Sequence, residues 1–272
     1  MDSLTAAVIM GIVQGLTEFL PVSSSGHLII VPFLLGIRDP FITSLEFSVM
    51  LHLGTLAALL IYFARDWLRI VPAFFAAVRD RSLASDPDRR MAVLLAIATL
   101  PALAIGFLLH DLEDAIREVG LVALMLVVGG AILWLAERSG SRRLLAIDLS
   151  LPKALAIGAA QALALIPGIS RSGISISAGL FLGLRRDEAA RFSFLMATPI
   201  TAAAVAYESL RAIRGDGVAV ETAPLVAGLA TSFVFGLAAI GLLLRFLRSR
   251  STDIFVAYRV LIAAVVLVFW LG

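Results

Sequence analysis

Gln14 and Glu18 stand four residues apart in an apolar stretch, a spacing that puts both side chains on one face of a helix. If that stretch lies in a bilayer, the carboxylate is costly unless paired, protonated or bound to a cation, which makes Glu18 a candidate functional group. The plainer reading is a carboxylate at a wetted helix end. Pro21 and the run Ser23, Ser24, Ser25, Gly26, His27 follow directly, and a helix starting among hydroxyls suits an anion. One serine is enough for an N-cap, so three exceed that need, although close helix packing is another use for small residues. A second break, Pro167-Gly168-Ile169-Ser170-Arg171-Ser172-Gly173, sets an arginine between two serines. A buried guanidinium seeks a bidentate phosphate or carboxylate, and Glu18 is itself one such partner. Brought together, these groups suit phosphoryl transfer, which depends on positioning and on neutralising oxygen charge, often with a divalent metal. Ser24 or His27 could attack phosphorus, with His27 otherwise acting as acid or base.

The elements that would position them are membrane helices. Of the 272 residues 60% are hydrophobic and 15% charged, against roughly half and a quarter in soluble domains. Six stretches reach spanning length: 44–64, 91–110, 120–137, 190–210, 223–245 and 254–271. Residues 26–37, 154–166 and 174–184 are too short, and 4–20 contains Glu18 and runs into Pro21. The short pieces form two pairs, 4–37 and 154–184, each expected to be a re-entrant helical hairpin whose broken tip is lodged inside the bundle. The N-terminus lacks a basic n-region and carries Gln14 and Glu18, which argues against a cleaved signal peptide.

The hairpins match each other at a constant offset of 147, pairing Gly11 with Gly158, Gln14 with Gln161, Ser23 with Ser170, Ser25 with Ser172 and Gly26 with Gly173. The likeness continues from Glu46-Phe47-Ser48 to Arg191-Phe192-Ser193, so the chain divides into repeats at about 1–137 and 150–272 within one membrane domain. Sixteen of the 22 Lys and Arg residues fall in 65–90, 138–153, 185–191 and 245–250. The positive-inside rule makes those segments cytoplasmic loops and both termini external, so the hairpins enter from opposite sides. The expected fold is an all-α polytopic membrane protein with six transmembrane helices and two re-entrant hairpins in an inverted-topology repeat, an arrangement that places a polar site near the midplane.

The absence of cysteine excludes disulfides and thiolate metal sites. The basic residues sit in short clusters between apolar runs and form no continuous stripe, so nucleic acid is a poor partner, whereas membrane lipid is an obligatory one. Glu46 and Arg191 could pair or lie near the tips. His52 reads as a hydrogen-bonded core histidine, His110 as interfacial, and Asp111, Glu113 and Asp114 as an external acidic loop. A homodimer is compatible with the sequence, which carries no signal of oligomeric state.

Gln14-Gly15-Leu16-Thr17-Glu18-Phe19-Leu20-Pro21-Val22-Ser23-Ser24-Ser25-Gly26-His27 resembles the signature of the bacterial undecaprenyl-diphosphate phosphatase family, also called bacitracin-resistance proteins. The segment Pro167 to Gly173 resembles that family's second motif, and the likeness extends through Phe192-Ser193-Phe194 to Pro199. The resemblance implies an enzyme of the bacterial inner (cytoplasmic) membrane that hydrolyses a long-chain prenyl diphosphate, recycling the lipid carrier of cell-wall synthesis. A divalent cation (Mg²⁺ or Ca²⁺) and a site open to the outer face come with it. By motif, Glu18 and Gln14 would handle metal and diphosphate, Ser24 and His27 would be nucleophile and acid/base in an order left open, and Arg171 would clamp phosphate. Ser23, Ser25, Ser170 and Ser172 would bind substrate. The motif's first position admits glutamate, and Gln14 there leaves Glu18 to carry more of any metal role. Inverted repeats with broken helices are also typical of transporters, so a lipid-phosphate transporter or flippase is the competing function. A purely structural subunit would leave the polar tips without a use.

Overall fold

A computed structural model describes residues 1–82, 86–109, 116–214 and 221–271. His110 and the acidic loop Asp111, Glu113 and Asp114 lie outside the described residues. Eleven α-helices are present among the described residues: α1 (Ser3–Phe19), α2 (Ser24–Leu35), α3 (Leu45–Tyr62), α4 (Ala64–Asp80), α5 (Pro87–Leu109), α6 (Val119–Ser139), α7 (Leu151–Gln161), α8 (Arg171–Phe181), α9 (Arg186–Arg214), α10 (Thr222–Leu247) and α11 (Asp253–Leu271).

Six of these, α3, α5, α6, α9, α10 and α11, are long and apolar enough to cross a bilayer. They fall on the six stretches expected from hydropathy. The surface is that of a membrane protein: Phe107, Leu108, Leu242, Val268 and Phe269 are exposed, while Gln14, Glu18, His27, Thr201 and Arg259 are buried. Outside water, apolar side chains are stable on the perimeter, and the polar groups collect where protein can satisfy them.

α1, α2, α7 and α8 occupy the two expected hairpins and have 17, 12, 11 and 11 residues. At about 1.5 Å per residue none reaches the roughly 30 Å of a hydrocarbon core. Gly11 and Gly158, matched in sequence, serve the same purpose in the two halves. A Cβ on Gly11 would run into Thr231 Oγ1 and the Gly228 carbonyl of α10, and one on Gly158 into the Ala98 carbonyl of α5. Both short helices can therefore lie backbone to backbone on a long neighbour, the close approach that small residues permit in membranes.

Two expectations change. Residues 64–80, read as part of a loop, form α4. Arg191 does not pair with Glu46 but donates to Asp66 Oδ1 at 2.5 Å, tying α9 to α4. Positions matched in sequence between two repeats need not be neighbours in the fold.

Candidate active site

The site begins where each hairpin breaks. Helix α1 ends at Phe19, and Leu20 and Pro21 lead to Ser23, whose φ of 78° and ψ of 94° lie where side-chain-bearing residues are rare. Ser170, its counterpart 147 residues on, has φ 78° and ψ 117°. Each costs on the order of 1–3 kcal/mol of backbone strain and persists because its surroundings over-determine it. The amide of Gly26 donates to Ser23 Oγ at 3.3 Å and that of Gly173 to Ser170 Oγ at 3.0 Å, so each serine caps the helix it precedes. The first residues of the two helices are then Ser24 and Arg171.

Both meet Glu18. Ser24 Oγ donates to Glu18 Oε2 at 2.6 Å, and Arg171 Nη2 forms an ion pair with Glu18 Oε1. Gln14 Nε2 donates to Glu18 Oε2 at 3.0 Å, as the four-residue spacing requires. The carboxylate is nearly buried, whereas Ser24, Ser25 and Arg171 are partly exposed, so the group opens on the side of the two helix starts. The positive ends of α2 and α8 are thereby presented together. The second nitrogen of Arg171, Nη1, donates to Thr201 Oγ1 on α9 at 2.7 Å.

His52 belongs to this group and is more than the core histidine expected of it. Its Nδ1 lies 2.8 Å from the Ser48 carbonyl and its Nε2 3.4 Å from Glu18 Oε2. A carbonyl only accepts, so Nδ1 carries a proton and Nε2 faces the carboxylate. His27 stands apart from Glu18. Its Nδ1–H donates to the Ser23 carbonyl at 2.7 Å, Nε2 takes the Tyr258 hydroxyl proton at 2.9 Å, and the two rings stack at 5.6 Å. The hydroxyls of Ser23, Ser170 and Ser172 are turned to the backbone or to each other: Ser172 Oγ donates to the Leu20 carbonyl at 3.0 Å, joining the second break to the first. Ser23 and Ser25 share a contact of 3.3 Å, and Ser170 and Ser172 one of 3.2 Å.

Arg259, in the middle of α11, is the residue the sequence reading passed over. It is fully buried, and among the described residues it is held by backbone carbonyls instead of a carboxylate. Nη1 donates to Pro21 in the first break at 3.1 Å, and Nη2 to Gly168 and Ile169 in the second at 2.7 and 3.0 Å. Nε and Nη2 also reach Leu126 and Met125 of α6. Five planar donors suit this use, because carbonyls arriving from several directions can each find one. A lone charge within 254–271 was the available signal. Thr201 and Tyr258 gave none, being ordinary polar residues on apolar helices.

The second half holds no copy of the acid. Leu165 stands at Glu18's repeat position and Ile174 at His27's, while Gln161, the match of Gln14, is buried with no hydrogen-bond partner on either amide atom among the described residues. One carboxylate therefore serves both helix starts.

Among the described residues no group of three His, Asp or Glu side chains could hold a metal ion. A partial fit exists at Glu18, because Gln14 Oε1 beside it is buried without a partner. An orphaned acceptor next to a carboxylate calls for a cation, and Mg²⁺ commonly takes one or two protein oxygens and completes its shell from substrate phosphate and water.

A family model for the bacitracin resistance protein BacA matches residues 7–265. The chain is 45% identical over 270 residues to a protein of Rubrobacter xylanophilus named undecaprenyl-diphosphatase, with 98% of each chain covered. It is 44% identical over 261 residues to one of the same name from Gemmatimonas aurantiaca, covering 96% of this chain and 95% of the relative. Against a third of that name, from Thermomicrobium roseum, it is 44% identical over 270 residues, with 96% of each covered.

Proposed function

Because the chain belongs to the bacitracin resistance protein BacA family, we infer that it is a multi-pass membrane phosphatase that hydrolyses undecaprenyl diphosphate to undecaprenyl phosphate and inorganic phosphate. The observation that carries the chemistry is Ser24 Oγ 2.6 Å from a buried carboxylate that also holds Arg171. A hydroxyl within hydrogen-bond reach of a base, which is itself oriented by a third group, is the arrangement of an activated nucleophile.

We propose that Ser24 attacks the terminal phosphorus while its proton passes to Glu18. The bond from phosphorus to the bridging oxygen breaks, and undecaprenyl phosphate leaves. Water then attacks the phosphoserine, the bond from phosphorus to Ser24 Oγ breaks, and Ser24 recovers its proton as inorganic phosphate departs. Arg171 keeps Glu18 ionised, and its five N–H donors exceed its contacts with Glu18 and Thr201, leaving donors for phosphate oxygens. The helix starts at Ser24 and Arg171 supply further positive potential. His27, with both nitrogens occupied, braces the strained Ser23 backbone and does not attack phosphorus. Glu18 and Gln14 Oε1 would hold a divalent cation together with the diphosphate; when bound, it neutralises phosphate charge.

The finer placement follows the charges. The two hairpins re-enter the cytoplasmic membrane from opposite sides, both termini lie outside, and the site faces outward. Support comes from the end of the bundle where Arg142 and Arg186 close on Glu137 and Arg138 on Asp253, which is cation-rich as cytoplasmic ends are.

Purified protein in detergent, given a long-chain prenyl diphosphate with Mg²⁺ or Ca²⁺, should release phosphate. Protein that binds the substrate yet releases none would sink the enzyme reading. Lipid crossing a sealed vesicle unhydrolysed would favour the flippase.

A further inference from the structure

Helix α4 starts at Ala64, with only Phe63 between it and the end of the spanning helix α3 at Tyr62, so its N-terminus lies at the membrane boundary. With a step of about 100° per residue, its side chains divide into three sectors. Trp67, Ile70, Phe74 and Ala77 form one, and they are the residues through which α4 joins the protein core. Leu68, Val71, Phe75 and Val78 form the next, and all four are exposed, Leu68 by 76% and Phe75 by 66%. Arg65, Asp66, Arg69, Arg79 and Asp80 share the remainder with Pro72, Ala73 and Ala76. The apolar arc is too wide for a helix that only rests on a protein core, and among the described residues its outer part is left largely uncovered.

We propose that α4 is an interfacial helix lying in the plane of the leaflet at which α3 ends, with Leu68, Val71, Phe75 and Val78 inserted among the lipid chains. Three observations identify lipid as the occupant. The exposed stripe lies beside the core-facing one, where a bilayer flanking the bundle must be. The remaining sector is charged and basic in excess, as in helices that lie on membrane surfaces. Finally, Arg191 at the start of α9 is held by Asp66, which fixes α4 at the ends of the spanning helices instead of at mid-depth. Residues 64–90 carry six arginines against four aspartates, so the headgroups favoured are anionic.

The chain has no cysteine, so single cysteines can carry an environment-sensitive fluorophore without further engineering. Phe75→Cys and Leu68→Cys report on the stripe, and Arg69→Cys reports on the charged sector. In vesicles of phosphatidylcholine, brominated lipid should quench labels at 75 and 68 several-fold more than the label at 69, and aqueous iodide should do the reverse. Replacing part of the phosphatidylcholine by phosphatidylglycerol should increase the lipid quenching at 75. Charge reversal by Arg65→Glu with Arg69→Glu should remove that increase and leave the basal insertion. Equal iodide quenching at 75 and 69 overturns the proposal. So does protection of position 75 from both quenchers with disulfide crosslinking of the unlabelled Phe75→Cys protein to a second copy, which would make the stripe a protein interface. No response to phosphatidylglycerol overturns the choice of anionic headgroups. Phosphate release by the labelled proteins shows that they are folded.

Discussion

Ser24 and Arg171 occupy the same place in the two repeats, each the first residue of a helix after a serine of positive φ, and both close on the carboxylate of Glu18. The pseudo-symmetry has thus supplied a hydroxyl from one half and a guanidinium from the other, at one acid that only the first half possesses.

Removing the hydroxyl or the charge should stop turnover without unfolding the protein. Ser24→Ala and Glu18→Gln should each lower kcat by about 10²–10⁴, measured as phosphate release from a prenyl diphosphate. The unfolding temperature of Ser24→Ala in detergent should stay close to that of the parent protein, and that of Glu18→Gln should fall, because Arg171 loses its carboxylate partner while the fold persists. A Ser24→Ala protein with near-parental kcat would eliminate Ser24 as nucleophile.

Arg171→Lys keeps the positive charge but cannot hold Glu18 and Thr201 with a planar fork. A fall in kcat/KM of about 10- to 200-fold is expected, given the 1.5–3 kcal/mol typical of a charged hydrogen bond. Thr201→Val should cost less, and its effect should shrink in the Arg171→Lys background. Additive losses in the double variant would show that Thr201 does not act through Arg171.

Tyr258→Phe removes the proton donor to His27 Nε2 but keeps the stacked ring. About 1 kcal/mol of stability should go with it, while kcat changes little, because the bond braces the Ser23 turn. A loss comparable to that of Ser24→Ala would instead make His27 and Tyr258 part of the proton path.

Chelation should abolish phosphate release, and added Mg²⁺ or Ca²⁺ should restore it. With only Glu18 and Gln14 to offer, the protein alone should bind Mn²⁺ weakly. A non-hydrolysable bisphosphonate analogue should tighten that binding by at least about tenfold, since substrate oxygens complete the shell. Electron paramagnetic resonance titration reads this directly, and tight binding without the analogue would contradict it.

Arg259→Leu should destabilise the protein by about 3–5 kcal/mol, because five buried carbonyl contacts lose their donor. Thermal unfolding in detergent measures this. Arg259→Lys, with three donors, should recover only part. Parental stability in both would mean that the carbonyls find other donors.

Much of this was legible in the sequence, for identifiable reasons. Spanning helices declare themselves by length and hydropathy, and the short pieces by being apolar yet too short or interrupted. Gln14 and Glu18 meet because helical spacing demands it, and Arg171 meets Glu18 because a guanidinium largely removed from water needs an anion. His52 was hidden, since its approach to Glu18 depends on how α3 packs against α1, which no local pattern encodes. Helix α4 was hidden for another reason. One charged sector in three lowers its average hydropathy to that of a loop, although its periodicity is strong. Tyr258 and Arg259 are neighbours on an apolar helix, and only the arginine was conspicuous there.

The stitching by Arg259 bears on what the scaffold can still do. A carrier works by rocking one half against the other, and here that motion would pull Pro21 away from Gly168 and Ile169 and strand a dehydrated cation between them. The two breaks are riveted together by one guanidinium, so the mouth they form is a fixed jaw.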